Sequence, residues 1–250
     1  MTPPAPIAIL SALAEEQEGL LECMTDVQRV VHAGRVFWCG RLQGVPVVLA
    51  LSRIGKVAAA ITATALIAHF GVQQLVFTGV AGGVGAGVQV GDVVVGSQYV
   101  QHDMDASPLF PRYEIPLTGR AVWDADASLL AQACEAVRRV QPALCTGVFS
   151  ATLHQGLIAS GDRFVSSAAE VAALLAGMRA VGFHPMAVEM EGAAVAQVCA
   201  DYGVPFVALR TISDRADDSA HVDFPRFVQE TASVYAKAIV LEMLDLLSNK

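Results

Sequence analysis

The sequence predicts an α/β protein: one domain over residues 1–250, with a mixed, largely parallel sheet flanked by helices. Three observations lead there. Short continuous apolar runs such as Leu75–Val80 recur, as in strands covered on both faces. Segments of helical spacing separate them, the alternation that βαβ units produce. Hydrophobic residues make up 54% of the 250 residues and charged residues 16%, which suits a large two- or three-layer core.

The elements follow in order. Ile7–Ala12 is a buried strand and Ala14–Met24 a helix. Gly34–Arg41 and Val45–Ser52 are antiparallel strands around a Gln43-Gly44 turn. Gly55–Phe70 is a helix stopped near Gly71. Leu75–Val80 and Asp92–Gln101 are strands, and Asp126–Val140 is a helix ending before Pro142. Strand material lies within Leu144–Ser160, and Ser167–Ala176 is a helix. Ala187–Glu189 is a strand, and Gly192–Tyr202 a helix ended by Gly203 and Pro205. Phe206–Ser213 is a strand, and Phe224–Leu247 the closing helix.

Composition excludes several functions. Net charge is −8, and no basic block interleaves with aromatics, so nucleic acid is not an expected partner. No apolar run reaches the roughly 18–20 residues that span a bilayer, so no membrane association is expected. The first six residues, Met1–Pro6, read as a disordered tail without the basic stretch of a secretory signal. Cys23, Cys39, Cys134, Cys145 and Cys199 are scattered, as expected of reduced thiols in a cytoplasmic protein. His102, Asp103 and Asp105 lie close together but do not complete a hard-metal or zinc ligand set, so no metal and no cofactor is expected.

In sheets of this kind ligands collect at the carboxyl ends of strands. Four features fall there: Glu16, the Gly-rich stretch Thr78-Gly79-Val80-Ala81-Gly82-Gly83, Glu191 and Asp214. In Ala187-Val188-Glu189-Met190-Glu191-Gly192 the two carboxylates share one face while the chain is extended. Glu191 then stands at the first turn of a helix, where N–H groups favour an anion. Each acid also has a plainer reading. Glu16 suits an exposed first-turn acid, and Asp214 a turn or helix-cap residue.

Taken with Arg210-Thr211-Ile212-Ser213-Asp214 and Ser160-Gly161-Asp162-Arg163-Phe164, these stretches resemble the methylthioadenosine/S-adenosylhomocysteine nucleosidases of the nucleoside phosphorylase superfamily. The resemblance runs from Ile7 to about Leu247 and implies that family's three-layer fold. It implies hydrolysis of a purine N-glycosidic bond, with Asp214 protonating N7 and Glu16 positioning water. Burial would help Asp214 keep the proton it donates. Glu191 would bind the ribose 2′-hydroxyl, with Met190 against the sugar and Glu189 in the same polar cluster. Arg210 would pair with one of these carboxylates. Phe164 would stack on the base and backbone groups of Val165 would read its edge. Ile54 and Phe224 would form the apolar 5′ end, while Val80, Ala81, Gly82 and Ser213 complete the site. The resemblance further implies a homodimer in which Phe110 or Pro116 closes the partner's 5′ pocket.

The related phosphorylases carry arginines after the first strand and before the Gly-rich turn. Here those places hold Glu15 with Glu16, and Val76 with Phe77, so water rather than phosphate is the expected nucleophile. Two departures from the family pattern stand out. Arg53 replaces a common glycine and is expected to face solvent or a neighbouring subunit, and Val80 replaces a common serine. A purine or methylthioadenosine phosphorylase and a non-catalytic nucleoside-binding protein remain the alternatives.

Overall fold

The computed structural model describes residues 5–144, 151–217, 220, 224 and 227–248. Met1–Pro4 of the expected tail, Cys145, and His221–Asp223 beside Phe224 lie outside the described residues. The chain runs β1 (Ile7–Ser11), α1 (Ala14–Leu21), β2 (Thr25–His32), β3 (Arg35–Leu42), β4 (Val45–Leu51), α2 (Lys56–Ala68), β5 (Gln74–Gly83) and β6 (Val93–Gln101). It continues with β7 (Val122–Asp124), α3 (Ala127–Leu144), β8 (Leu153–Ser160), α4 (Ala168–Arg179), β9 (Pro185–Glu189), α5 (Gly192–Tyr202) and β10 (Phe206–Asp214). A π-helical turn, Val228–Ala232, leads into α6 (Ser233–Ser248).

All ten strands belong to one mixed sheet. Strand β5 has three neighbours. Its first half pairs with β1, its last two residues pair with β9, and β10 runs along most of its length. Because β10 also pairs with β6, and β6 leads through β8 to β9, strands β5, β9, β8, β6 and β10 close into a ring. The β1–β4–β3–β2 arm extends from that ring.

Side chains alternate faces along each strand, and the cores divide accordingly. Ala8 and Leu10 of β1 join Ala59, Ala63 and Leu66 of α2 and Ala193, Ala196 and Cys199 of α5. Ile9, between them, packs the other way with Leu20 of α1 and Val240 and Leu244 of α6. Val93 and Val95 join Ala133 and Val137 of α3. The result is helix, sheet and helix, the layering expected from the sequence.

Four elements differ from expectation. Strands β2 and β7 were not expected: β2 is an exposed edge strand with no apolar alternation to announce it, and β7 is only three residues long, with Trp123 buried at its centre. Helix α3 continues through Pro142 to Leu144, because Leu144 is 2% exposed and anchored in the core shared with α3 and α6. The expected closing helix is interrupted by the π-turn before α6. No helix among the described residues is long and apolar enough to cross a membrane.

Candidate active site

A cavity of about 340 Å³ opens at the ends of β1, β5, β9 and β10. Among its lining residues are Glu16, Glu189, Met190, Glu191, Ser213 and Asp214. Ile54, Val80, Ala81, Gly82, Phe164, Val165 and Phe224 line it too. Every expected site residue therefore reaches the cavity except Arg210, which lies behind its wall. The sequence reading missed Ala12, Leu13 and Val188 as lining residues; each directly adjoins an expected element, and that adjacency was the available signal. Arg163 also lines it, from the Ser160–Phe164 stretch.

Glu16 is 2% exposed, whereas neighbouring Glu15 is exposed. Its Oε2 accepts from the backbone N–H groups of Ala12 at 2.7 Å and Leu13 at 2.9 Å. Its Oε1 accepts from the N–H of Val80 at 3.1 Å. Glu16 thus caps the start of α1 and faces the cavity at once, though it is not the exposed acid of the plainer reading. Burial pushes its carboxyl above the ordinary range, against the N–H of Leu13 and the charge of Arg210. The backbone beside it is close: a Cβ on Gly79 would sit 3.1 Å from Glu16 Oε1, so the carboxylate would have to shift by a few tenths of an ångström.

Asp214 ends β10 just after the β5–β10 register shifts between Ile212 and Asp214. Such an irregularity re-aims a side chain at a strand end. Asp214 is 2% exposed and stands opposite Gly82. Its Oδ2 accepts from Ser213 Oγ at 2.8 Å and its Oδ1 from the N–H of Ala216 at 2.7 Å.

The two glutamates of β9 and α5 divide differently from the sequence expectation. Glu189, not Glu191, takes the N-terminus of α5. Its carboxylate accepts from the N–H of Gly192 at 2.8 and 3.0 Å and of Glu191 at 3.2 Å. Glu191 is the cap residue by backbone, yet its side chain turns away, and Oε1 accepts from the N–H of Gly55 at 2.8 Å. The backbone leaves the extended state at Glu191 (φ −138°, ψ −39°), so the two carboxylates are not held on one strand face. Burial, then the charge of Glu189, raises Glu191 to about 8.

Arg210 is 1% exposed and pairs with Glu189, Nη2 to Oε2 at 2.7 Å. Its Nη1 donates to the carbonyls of Phe77 and Leu209, and its guanidinium lies 4.0 Å from the Phe77 ring centre. Ser160 Oγ donates to Glu189 and accepts from the N–H of Ala193 at 2.7 Å. This is the ion pair expected of Arg210, with Glu189 lining the cavity and Arg210 behind its wall.

The mouth is apolar. Phe164 and Phe224 meet edge to face with ring centres 5.5 Å apart, and Ile54 stands at 57% exposure. Among the lining residues Arg163 is the one cation; it is exposed and pairs with Glu170. Arg53 points away, donating to the carbonyl of Gly34 at 2.7 Å. Asp103 is held by Lys56, and His102 packs against Gly161.

Fold and site together define a class: a mixed α/β sheet, partly closed on itself, with an acid-lined cleft of small-ligand size at its strand ends. A family model described as the phosphorylase superfamily matches residues 6–245, and the chain belongs to that superfamily. It is 38% identical over 247 residues to the 5'-methylthioadenosine/S-adenosylhomocysteine nucleosidase of Geobacillus kaustophilus, covering 97% of this chain and 98% of that one. It is 37% identical over 233 residues to the aminodeoxyfutalosine nucleosidase of Helicobacter pylori, covering 92% and 94%. Among solved structures, the 5'-methylthioadenosine/S-adenosylhomocysteine nucleosidase of Colwellia psychrerythraea in complex with adenine superposes with a TM-score of 0.87 at 35% identity, covering 96% of this chain and 95% of that one.

Proposed function

We propose that this chain is a cofactor-free nucleosidase that hydrolyses the N-glycosidic bond of 5′-methylthioadenosine and S-adenosylhomocysteine, releasing adenine. The observation that carries this reading is the convergence of Glu16, Glu191 and Asp214, remote in sequence, on one cavity.

Asp214 delivers a proton to purine N7, so that adenine departs neutral as the C1′–N9 bond breaks. Glu16 orients a water at C1′ and takes its proton as the new C–O bond forms. A buried carboxylate with raised proton affinity suits that task. Glu191 accepts a hydrogen bond from the sugar 2′-hydroxyl, and Met190 packs on the sugar. Phe164 stacks on the base, and backbone groups of Val165 read its edge. Ala81, Gly82 and Ser213 border the base and the acid. Val80 contributes its backbone N–H to Glu16, while its side chain adds apolar wall rather than a hydrogen bond. Glu189 and Arg210 hold the α5 end of the site from behind.

Water as nucleophile is supported by the lining itself: a phosphate needs a cationic cradle, and the lining among the described residues offers Arg163 alone, already paired. A second substrate is favoured by the Helicobacter pylori relative and by the open mouth, where Ile54 and Phe164 are 57% and 43% exposed. A larger 5′ group, as in aminodeoxyfutalosine, fits such an opening with the same bond cleavage. Leu109 and Leu117, 83% and 91% exposed beside Phe110 and Pro116, support a homodimer whose partner closes the 5′ end. A cytoplasmic setting with a part in methionine salvage agrees with the free Cys23, Cys39, Cys134 and Cys199.

The test is adenine release from each 5′-substituted nucleoside with phosphate rigorously removed. Free alkylthioribose supports hydrolysis. Sugar 1-phosphate formed only with added phosphate indicates a phosphorylase, and binding without release a non-catalytic protein. Asp214→Asn is expected to lower kcat by about 10²–10⁴-fold while nucleoside affinity, measured by calorimetry, changes little.

A further inference from the structure

A polar circuit runs behind Glu191, and none of its members touches the cavity. Gly55, whose N–H holds Glu191 Oε1, is the cap residue of α2 and adopts φ +98°, a conformation that favours glycine. The next N–H, of Lys56, donates to Asp162 Oδ1 at 2.7 Å. The Lys56 ammonium pairs with Asp103 Oδ1 at 2.5 Å and donates to Gln101 Oε1 at 3.1 Å. Asp103 Oδ2 accepts from the N–H of Asp162 at 2.9 Å, which closes the circuit. Gln101 in turn donates to Gln197 of α5 at 3.0 Å. Lys56 thus ties together the start of α2, the end of β6, the turn that leads to Phe164, and the helix that Glu191 begins.

Its position is that of a structural cation rather than a surface one. The Lys56 side chain is 15% exposed and that of Asp103 is 31% exposed. Without the Lys56 ammonium, Asp103 would lose its cation and keep the N–H of Asp162. The start of α2 would keep the backbone bond to Asp162 but lose the ammonium's ties to Asp103 and Gln101, and with them the fixed aim of the Gly55 N–H. Among the described residues Gly55 is the one hydrogen-bond donor to the Glu191 side chain, so the aim of that N–H sets where Oε1 rests.

We infer that Lys56 is a positioning residue for sugar recognition: by locking Asp103 and Asp162 it fixes the Gly55 N–H on Glu191 Oε1 and so aims Oε2 at the sugar 2′-hydroxyl. The inference rests on the reading of Glu191 as the sugar acceptor. It makes Lys56 a determinant of the choice between ribo- and 2′-deoxyribonucleosides, although it meets neither.

The experiment compares binding of 5′-methylthioadenosine with its 2′-deoxy form in the Asp214→Asn background, so that neither ligand is consumed. Lys56→Met and Asp103→Asn are each expected to weaken the ribo ligand about 3- to 10-fold, the scale of one hydrogen bond, and the deoxy ligand much less. Lys56→Arg should restore part of the discrimination. Adding Lys56→Met to Glu191→Gln should cost the ribo ligand little further, because the two act through one interaction. An unchanged ribo-to-deoxy ratio in both variants, or equal weakening of both ligands, overturns the inference. Absence of adenine release by the unmodified protein would instead overturn the nucleosidase reading, and the binding ratio is read independently of it.

Discussion

The back wall of the cavity and its mouth are built on opposite principles. At the back, Arg210 and Glu189 have side chains 1% and 3% exposed, and each makes several hydrogen bonds. At the mouth, Phe164 meets Phe224 edge to face, and both Ile54 and Phe164 are substantially exposed. The wall is over-determined and the mouth under-determined. The proposed function accordingly assigns the chemistry that needs fixed carboxylates to the wall side and the tolerance for different 5′ groups to the mouth.

Removing one partner from the wall gives the largest expected effect. Arg210→Leu strands a buried Glu189 carboxylate, and the folded state is expected to lose about 3–5 kcal/mol. Thermal unfolding of the ligand-free protein checks this. A loss below about 1 kcal/mol would place the wall in the same class as an exposed ion pair.

A smaller effect concerns pH. Glu191 is raised from an ordinary 4.5 to about 8, so the folded protein holds this proton more tightly than the unfolded chain. The stability it contributes is complete below pH 4.5 and is lost as pH rises through about 8. Glu16 acts in the same direction. Glu191→Gln should flatten the decline of melting temperature over that interval. A decline as steep as that of the unmodified protein would contradict the assignment.

The smallest effect belongs to the mouth. Phe164→Ala is expected to weaken nucleoside binding by about 1–3 kcal/mol, the usual worth of a base stacked on an aromatic ring. Melting temperature should hardly move, because Phe164 is 43% exposed. A large fall in melting temperature would show that the mouth, too, is structural.

The contrast also sorts what the sequence could reveal. Buried apolar runs such as Leu75–Val80 announced their strands, because a strand covered on both faces leaves no polar interruption. Strand β2 did not, since as an exposed edge it needs no apolar pattern to be held by β3. Pro142 suggested a helix end, yet the burial of Leu144 outweighed one missing backbone donor. At the site, residue types and strand-end positions brought out Glu16, Glu191 and Asp214. Which of Glu189 and Glu191 would take the helix N-terminus was not legible, because it depends on backbone angles at a single junction. Arg210 could be foreseen as an ion-pair partner, but not that its own side chain would stand behind the cavity wall.

The three neighbours of β5 have a consequence for how this protein can be re-engineered. Pairing with β1 stops at Phe77 and pairing with β9 starts at Gly82. Between those points one flank of the strand has no partner strand, and the N–H of Val80 meets Glu16 there. The floor of the cleft is thus a gap in backbone pairing, its width fixed by how far two strands diverge. Swapping side chains can redecorate that floor without widening it. A substitution that removes the amide itself, Val80→Pro, would reach it, whereas altered ligand size is better sought by replacing Ile54 or Phe224 at the rim.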